Sequence, residues 1–283
     1  MNKAAFRSKS STYEGEYDCV LRTPDKEVSP GLHYHDFYEC VVYLGNGGIF
    51  HIEGQEYPVK RGDLVLIDMF RPHTLLHNKD GYYERLSVSI DPTLMISFST
   101  MESNLLDVFH NANNHQPVYH LRDADFQKYL QLIDQLQNLS LSQGSDILQK
   151  AMVHQLMAFI YNDCYSLSAH GDIDRRHVAT IAQLIKYINA HLGDELSLEK
   201  FSKEVNYSEY YICRLFKKMT QKTLTAYIQE KRIEQAAQYL REAIPINKAA
   251  EMVGFNNYSY FYKTFKRYTG VSPAEYREQV IRS

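Results

Sequence analysis

The chain has 283 residues, enough for about two domains of ordinary size. With 44% hydrophobic and 23% charged residues and four widely spaced cysteines, the composition excludes collagen-like, low-complexity and disordered chains, and it favours a reducing cytoplasm over a disulfide framework. The net charge of −3 divides into −9 over residues 1–172 and +6 over residues 173–283, so only the second half is expected to meet a polyanion.

Residues 13–90 are divided into short alternating runs that are typical of antiparallel strands. The run Glu39–Leu44 is followed by a Gly-Asn-Gly-Gly turn and by the run Ile49–Glu53, and an Asn-Gly pair in that position predicts a hairpin. Further runs lie at Leu64–Ile67 and Tyr82–Ile90. About six to eight strands at this spacing predict a sandwich or a small barrel.

Within residues 123–165 the spacing of apolar residues changes to the helical period, which predicts two helices. Apolar residues share one face of each helix: Leu130, Ile133 and Leu136 in the first, and Leu148, Met152, Leu156 and Phe159 in the second. These helices either pack on the strands or form the seam of a homodimer, which we favour. The segment Ser168–Asp174 is small, polar and contains glycine, so it is the best candidate for a linker.

The second half has helical periodicity throughout and contains an internal repeat, because the segment Val205–Thr220 parallels Val253–Thr269. Five positions recur 49 residues later: Ile212, Phe216, Lys217, Thr220 and Tyr227 correspond to Phe261, Phe265, Lys266, Thr269 and Tyr276. Each copy has the pattern of a short helix, a tight turn and a second helix. This is the helix-turn-helix arrangement, whose second helix can lie in a major groove of DNA.

In each copy the second helix has an apolar face and a polar, basic face. Arginine can bind guanine in a bidentate manner, serine and tyrosine donate to bases or phosphates, and lysine neutralises phosphate. The candidate DNA-contacting residues are Tyr210, Cys213, Arg214 and Lys217 in the first copy, and Tyr258, Ser259, Tyr262, Lys263, Lys266 and Arg267 in the second.

The stretch from Thr223 to Glu242 joins the copies and predicts one helix of about 30 Å, close to the about 34 Å of one turn of DNA. A helix of that length can hold two recognition helices in successive major grooves. Pro245 ends it, and the run from Ser272 to Glu275 forms a capping box that starts a last helix.

Residues 178–282 resemble the DNA-binding domain of the AraC/XylS family of bacterial transcription regulators. The run Ala250–Arg277 follows the family signature nearly throughout, and Lys231–Ala237 fits its connecting helix. By this resemblance the base-reading positions are Tyr210, Cys213 and Arg214 in the first unit, and Tyr258, Ser259, Tyr262 and Lys263 in the second.

Two residues of the first copy depart from the pattern. Gln221 stands where the second copy has Gly270, so the end of the first recognition helix is expected to differ. Cys213 occupies a base-facing position, where we expect it to act as a small side chain and not as a redox-sensitive thiol.

The first half resembles the cupin-like effector domain of the same family, through a His-Tyr-His-x3-Glu run that begins at His33, through residues 58–62 and through a later Pro-His pair. In cupins that bind a metal, the corresponding ligands here are His33, His35, Glu39 and His73. On a strand, residues 33, 35 and 39 would share one face. Since the second cupin motif is eroded, no metal or other cofactor is predicted, and a metal site remains the alternative.

A pocket for a small polar ligand is the preferred interpretation of the first half, and the choice of a sugar rests on analogy with the family. The candidate ligand-binding residues are His33, His35, Glu39, Tyr43, His51, Arg71 and His73, and Arg85 is expected near the mouth of the barrel.

These patterns predict an α+β chain with several domains. They are a cupin-like β-barrel over residues 1–120, a helical dimerisation segment over 121–167, a linker over 168–177 and an all-α DNA-binding domain with two helix-turn-helix units over 178–283. No apolar run approaches the about 20 residues of a membrane span, and the N-terminus lacks the apolar core of a secretory signal.

The resemblance implies a cytoplasmic, sequence-specific regulator that acts as an activator and is not an enzyme. Its expected partners are promoter DNA, a small-molecule effector, RNA polymerase and a second copy of the chain. No association with a membrane is expected. Two alternatives stay open. One is a metal-dependent cupin enzyme with a regulatory helical half, and the other is a DNA binder with little sequence preference, against which the two base-facing surfaces argue.

Overall fold

The computed structural model describes residues 16–22, 31–45, 47–77, 84–114, 116–139, 143–165, 174–194 and 196–281. They divide into two compact units, the first containing nearly all described residues up to Val178 and the second those from Ala179 onward. Most of the predicted linker, residues 168–173, lies outside the described residues. The next helix begins at Arg175, so the last three residues of the predicted linker are helical.

The first unit contains two antiparallel sheets. Their strands are β1 (Tyr17–Arg22), β2 (Tyr38–Tyr43), β3 (Gly48–Ile52), β4 (Gln55–Val59), β5 (Asp63–Ile67), β6 (His73–His77), β7 (Arg85–Ile90) and β8 (Val118–His120). One sheet has the order β1-β7-β2-β5-β8, and the other has the order β4-β3-β6. The predicted α+β class is therefore confirmed, with two facing sheets in place of a closed barrel.

The predicted Asn-Gly hairpin is wrong. Strand β2 pairs with β5 and β7, whereas β3 pairs with β4 and β6, so the strands on either side of the turn belong to different sheets. Gly47 has a different role, because a Cβ at this position would lie 2.0 Å from the carbonyl oxygen of Val59. The chain passes so close to β4 that only glycine fits. Asn46 itself lies outside the described residues.

The core of the first unit lies between the sheets, where Val41, Tyr43, Val65 and Ile67 of the larger sheet meet Phe50, Ile52, Val59 and Leu75 of the smaller one. Four helices also belong to this unit: α1 (Pro92–Phe98), α2 (Leu106–Asn114), α3 (Asp123–Gln137) and α4 (Ser145–Tyr165). Helices α1 and α2 were not expected within the predicted barrel, because such short helices show too few turns for the period to be read. In α4, Leu156 of the predicted seam is buried within the unit, whereas Leu148 is exposed.

The second unit is entirely helical in its described residues. Its helices are α5 (Arg175–Ala190), α6 (Leu198–Val205), α7 (Glu209–Thr220), α8 (Leu224–Arg241), α9 (Ile246–Met252), α10 (Tyr258–Thr269) and α11 (Pro273–Ile281). The α6–α7 and α9–α10 pairs are the two predicted helix-turn-helix units, and α8 connects them. None of the described helices has the length and apolarity needed to cross a bilayer.

Helices of the second unit are capped at their N-termini as the sequence predicts. Thr223 caps the N-terminus of α8 by accepting a hydrogen bond from the Ala226 N–H. In the predicted capping box, the Ser272 N–H donates to the Glu275 carboxylate at 2.7 Å, and the Glu275 N–H donates to the Ser272 hydroxyl at 3.2 Å. Both ends of that box are therefore satisfied, as the sequence predicts.

The two helix-turn-helix copies also share the same aromatic packing. The ring of Phe216 lies edge-on against Tyr227 with 5.3 Å between centroids, and Phe265 lies edge-on against Tyr276 at 5.6 Å. The threonine at the end of each recognition helix donates its hydroxyl to the carbonyl of that phenylalanine, at 2.8 and 2.9 Å. The two copies therefore hold their recognition helices in the same way.

The two recognition helices also end alike, which contradicts the difference expected at Gln221. Gln221 has a φ of 58° and Gly270 a φ of 82°, and both are left-handed. Their N–H groups donate back to Lys217 and Lys266 at 3.0 and 2.9 Å. Gln221 thus adopts a conformation that costs a residue with a Cβ roughly 1–2 kcal/mol, because closing the helix end requires it.

Replacing Gln221 with glycine is expected to raise the free energy of unfolding of the second unit by about 0.5–1 kcal/mol, because glycine adopts this conformation without steric cost. Gly270→Gln is the reciprocal control and should lower it by a similar amount. Calorimetric melting of the full chain measures both changes. Destabilisation by Gln221→Gly would show that the hydrogen bond from its side-chain amide to the Lys218 carbonyl outweighs the strain.

Candidate functional site

The exposed face of α7 presents the predicted contacts of the first helix-turn-helix unit. Ile212 and Phe216 are fully buried, which fixes the rotation of α7 about its axis. Tyr210, at 72% exposure, lies with Arg214 and Lys217 on the solvent side. The Arg214 guanidinium stands 5.8 Å from the centre of the Tyr210 ring. This face offers a forked donor, a hydroxyl and two positive charges to a polyanion.

Cys213 lies at the edge of that face and is half-buried. Burial raises the pKa of its thiol, and the carboxylate of Glu209 adds to the effect. Because the thiolate is the reactive form of cysteine, a raised pKa makes this thiol less reactive at neutral pH. These surroundings favour the interpretation of Cys213 as a small side chain.

Helix α10 repeats the arrangement. Asn257 caps its N-terminus by accepting from the Tyr260 N–H at 2.9 Å, and Phe261 and Phe265 are fully buried. The predicted contacts all lie on its exposed side: Tyr258, Ser259, Tyr262, Lys263, Lys266 and Arg267. The connecting helix α8 contains 18 residues and is therefore about 27 Å long. The structure thus places both predicted surfaces in solvent within one helical unit.

A separate cluster of titratable side chains lies in the first unit, where β2 and β6 face each other. Nε2 of His35 is 3.2 Å from Oε2 of Glu39, and Nε2 of His73 is 3.4 Å from the same oxygen. Burial would by itself raise the pKa of Glu39, but the two histidines hold it well below its usual range. Burial lowers the pKa of His35, against the opposing effect of Glu39.

Backbone carbonyls orient both histidines of this cluster. Nδ1 of His35 lies 2.8 Å from the Phe37 carbonyl oxygen, and Nδ1 of His73 lies 2.8 Å from that of Arg71. A carbonyl only accepts, so both Nδ1 atoms carry the proton and, in the neutral rings, both Nε2 atoms are acceptors. Both Nε2 atoms face the same carboxylate oxygen of Glu39, so a proton carried there by either ring is donated to that carboxylate.

The same donor set fits a divalent first-row transition metal. A histidine that binds a metal through one nitrogen usually donates the other N–H to a carbonyl or carboxylate, as both histidines do here. Two ligand atoms about 2.1 Å from one ion and at roughly 100° to each other are about 3.2 Å apart. The observed separations of 3.2 and 3.4 Å match this distance.

His33 is not part of the cluster, so the predicted set of four ligands is wrong in one member. Only His35, Glu39 and His73 place ligand atoms within 4.8 Å of one another among the described residues. Nδ1 of His33 instead donates to the Gly31 carbonyl at 2.9 Å. Strand β2 begins at Tyr38, so the alternation that was expected to align residues 33, 35 and 39 does not extend back to His33.

Three other predicted ligand residues have different surroundings. Tyr43 is fully buried and packs edge-on against Phe50 within the core, so it does not line an open cavity. His51 lies on the opposite face of β3 from Phe50, because side chains alternate along a strand, and the expectation that it faces inward is wrong. Arg71 forms an ion pair with Glu53 at 2.9 Å.

Two polar residues of β7 do face the space between the sheets. Arg85 and Ser87 lie opposite Tyr43 and Val41 in the strand register and are 7% and 4% exposed. Directly paired residues share a face of a sheet, so both point inward with their partners. The sequence placed Arg85 near the mouth of the barrel and missed Ser87, because alternation alone does not say which face of a strand is buried.

Known proteins resemble both units of this chain. A family model described as a helix-turn-helix domain matches residues 201–279. The multiple antibiotic resistance protein MarA of Escherichia coli is 38% identical over 99 residues, which are 35% of this chain and 78% of MarA. The HTH-type transcriptional activator RhaR of Cronobacter sakazakii is 27% identical over 259 residues, 87% of this chain and 86% of RhaR. Neither relative is described as an enzyme.

Among solved structures, ToxT from Vibrio cholerae aligns with a TM-score of 0.55 at 15% identity, covering 94% of this chain and 98% of ToxT. A further ToxT structure, which is described as bound to an unsaturated fatty acid, aligns with a TM-score of 0.53 at 16% identity, over 92% of this chain and 94% of ToxT. At these identities the likeness shows a shared fold across both units.

Proposed function

Because the chain belongs to the AraC/XylS family of bacterial transcription regulators, we propose that α7 and α10 bind successive segments of promoter DNA and that a small ligand in the first unit controls this binding. The observation that carries the proposal is the pair of exposed, basic faces on two equivalent, capped helices. The description of RhaR as an activator supports activation, with RNA polymerase as a partner. A promoter target implies action in the bacterial cytoplasm.

Within these two faces, we assign some residues to base recognition and others to phosphate binding. Arg214, in the middle of α7, is assigned to a bidentate contact with a guanine, and Lys266, in the last turn of α10, is assigned to a phosphate. Residues 178–283 would then form the DNA-binding domain, residues 1–120 the ligand-binding domain and residues 121–167 the dimerisation segment, as the sequence predicts.

Arg214→Ala is expected to weaken binding to the best site by about 1–3 kcal/mol and to relax the preference at one base pair. Lys266→Ala should weaken binding to all DNA sequences alike. It should also lower the slope of the salt dependence by an amount that corresponds to about one released ion. The wild-type chain is first used to select DNA from a random pool. The affinities of the wild type and of both variants are then compared at two salt concentrations.

Lys203→Ala is the matched control, since Lys203 is an exposed lysine of α6 whose ammonium pairs with Glu199 at 2.6 Å, and it should change neither affinity nor preference. A uniform loss across sequences for Arg214→Ala would overturn its assignment to base reading. Failure of the wild type to enrich any sequence would overturn sequence-specific binding itself.

The polar cluster of the first unit supports a polar effector such as a sugar. Hydroxyl groups both donate and accept, so a sugar can form hydrogen bonds with the Glu39 carboxylate and with the imidazole rings of His35 and His73. Arg85 adds a buried guanidinium on the same side of the larger sheet. The description of one ToxT structure as bound to an unsaturated fatty acid supports the view that a chain with this fold can hold a small molecule.

A metal ion is the second candidate for the cluster, and the convergence of two imidazole nitrogens and a carboxylate oxygen favours it. His35, Glu39 and His73 would hold the ion, which would supply a fixed positive charge with open positions for a polar ligand. His35 and Glu39 belong to the chain around β2, whereas His73 begins β6 of the other sheet. Occupation of the cluster by either kind of ligand would therefore link the two sheets.

Thermal unfolding of the full chain with a panel of sugars, and with Zn²⁺, Mn²⁺, Co²⁺ or Ni²⁺, distinguishes the two candidates. A ligand at 100 times its Kd stabilises the folded state by about 2.7 kcal/mol. We expect Glu39→Gln to abolish the response to the ligand, and His51→Asn, on the opposite face of β3, to leave it intact. A ligand that stabilises Glu39→Gln as well as the wild type would show that the cluster is not its site.

The exposed side of α4 supports a homodimer. Four apolar residues lie on this side, away from the buried face of the helix: Ile147, Leu148, Ala151 and Ala158. Ile147 is 70% exposed and Leu148 is 53% exposed. Helices of soluble domains usually place polar residues on their outer side, so the exposure of two large aliphatic side chains at the start of α4 favours pairing with a second copy.

The double substitution Ile147→Glu and Leu148→Glu is expected to convert the dimer to a monomer, because it places charges in the proposed contact. Sedimentation equilibrium measures the change. Met101→Glu is the control, since Met101 is 99% exposed and lies outside α4, and it should leave the dimer intact. A wild type that sediments as a monomer at all concentrations would contradict the assignment of residues 121–167.

A further inference from the structure

We propose that Arg232, at the centre of α8, is a positioning residue that holds the two recognition helices at one separation and so sets the spacing of the DNA segments they read. This inference rests on the proposed binding of DNA by both α7 and α10.

The guanidinium of Arg232 joins three parts of the second unit. Nη1 donates to the Gly254 carbonyl at 2.9 Å, in the turn between α9 and α10. Nη2 donates to the Asp194 carbonyl at 3.1 Å, in the segment that follows α5. The guanidinium carbon also lies 6.0 Å from the centre of the Phe255 ring. One side chain of the connecting helix thus binds the backbone on both sides of it.

The segment after α5 is tied to the first helix-turn-helix unit, because the rings of Tyr187 in α5 and Phe201 in α6 lie 5.9 Å apart. The segment after α5 also lies close to the second helix-turn-helix unit. A Cβ on Gly193 would lie 2.4 Å from the Met252 carbonyl oxygen, and a Cβ on Gly254 would lie 2.8 Å from Nη2 of Arg232. Arg232 therefore lies where the backbone segments next to the two helix-turn-helix units come together.

A buried core packs α8 against α10 through residues such as Ile233 and Phe261. At the edge of this core, an open pocket of about 320 Å³ is lined in part by Arg232. Side chains do not fill this pocket, so the hydrogen bond from Arg232 to the Gly254 carbonyl adds to the constraint that packing provides. The hydrogen bond from Arg232 to the Asp194 carbonyl extends this constraint to the segment after α5.

A fixed distance between the recognition helices has a direct consequence for DNA. Two helices in successive major grooves must match both the separation and the rotation of the two grooves, and one added base pair changes the rotation by about a tenth of a turn. A rigid pair of units therefore accepts one spacing, whereas a pair that swivels about α8 accepts several.

The test compares Arg232→Met with the wild-type chain on DNA that the wild type has selected, with one, two or three base pairs inserted between the two parts of the site. Methionine keeps the length and helix preference of the side chain but removes the donors. Arg241→Met is the matched control, because it makes the same substitution at the end of α8, where the guanidinium donates to the Tyr276 hydroxyl of α11 at 2.6 Å and does not join the two helix-turn-helix units.

We expect one inserted base pair to weaken wild-type binding by about tenfold or more, and to weaken Arg232→Met by less than about threefold, with weaker binding of the variant at the original spacing. Arg241→Met should keep the wild-type spacing profile. Arg232→Lys keeps the positive charge and one set of donors, so its profile should fall between those of the wild type and Arg232→Met. Thermal unfolding establishes that each variant is folded at the assay temperature.

An equal loss of affinity at every spacing would overturn the proposal, because it would show that Arg232 acts through charge or general stability. If Arg232→Met does not fold, a wild-type spacing profile for Arg232→Lys overturns the proposal and an intermediate profile supports it. Selection of a site with a single part would overturn the proposal together with the reading of DNA by two helices, whereas a two-part site with an unchanged profile would overturn the role of Arg232 alone.

Discussion

Each recognition surface depends on the burial of two residues four positions apart in its helix. Ile212 and Phe216 anchor α7, and Phe261 and Phe265 anchor α10, all without exposed surface. Burying a side chain of this size contributes about 1.5–3 kcal/mol, so rotation of either helix about its axis is costly. Because each residue turns an α-helix by about 100°, the anchors also decide which side chains face outward. The outer side is then free to carry arginine, lysine and tyrosine without loss of core packing.

The first unit separates an apolar region from a polar one within the space between its sheets. The region around Tyr43 is filled by aliphatic and aromatic side chains, whereas His35, Glu39 and His73 meet where β2 and β6 face each other. These two strands belong to different sheets. A ligand bound at the cluster would therefore stabilise one arrangement of the sheets over another, and only such a difference in affinity between two states lets a ligand regulate DNA binding.

Sequence patterns predicted helices more reliably than they predicted contacts between strands. The runs named from the sequence correspond to β2, β3, β5 and β7, and the Ser-Pro-Ala-Glu box and the limits of α8 appear in the structure where the sequence placed them. The Asn-Gly signal was misleading because Gly47 serves a close approach to Val59, and the strands beside it pair elsewhere. His33 was grouped with His35 through the resemblance to metal-binding cupins, and a continuous strand was expected to align the two, but β2 begins only at Tyr38.

The sequence by itself determined the repeat, the helix-turn-helix units and their outward faces, because helical period and N-terminal capping depend on residues at most a few positions apart. The tertiary structure decided which strands pair, which histidines meet Glu39, and that Arg232 binds the backbone at both Asp194 and Gly254. These contacts join residues far apart in the chain. Local periodicity constrains the direction of a side chain within its own element, but its distant partner depends on how the elements pack together.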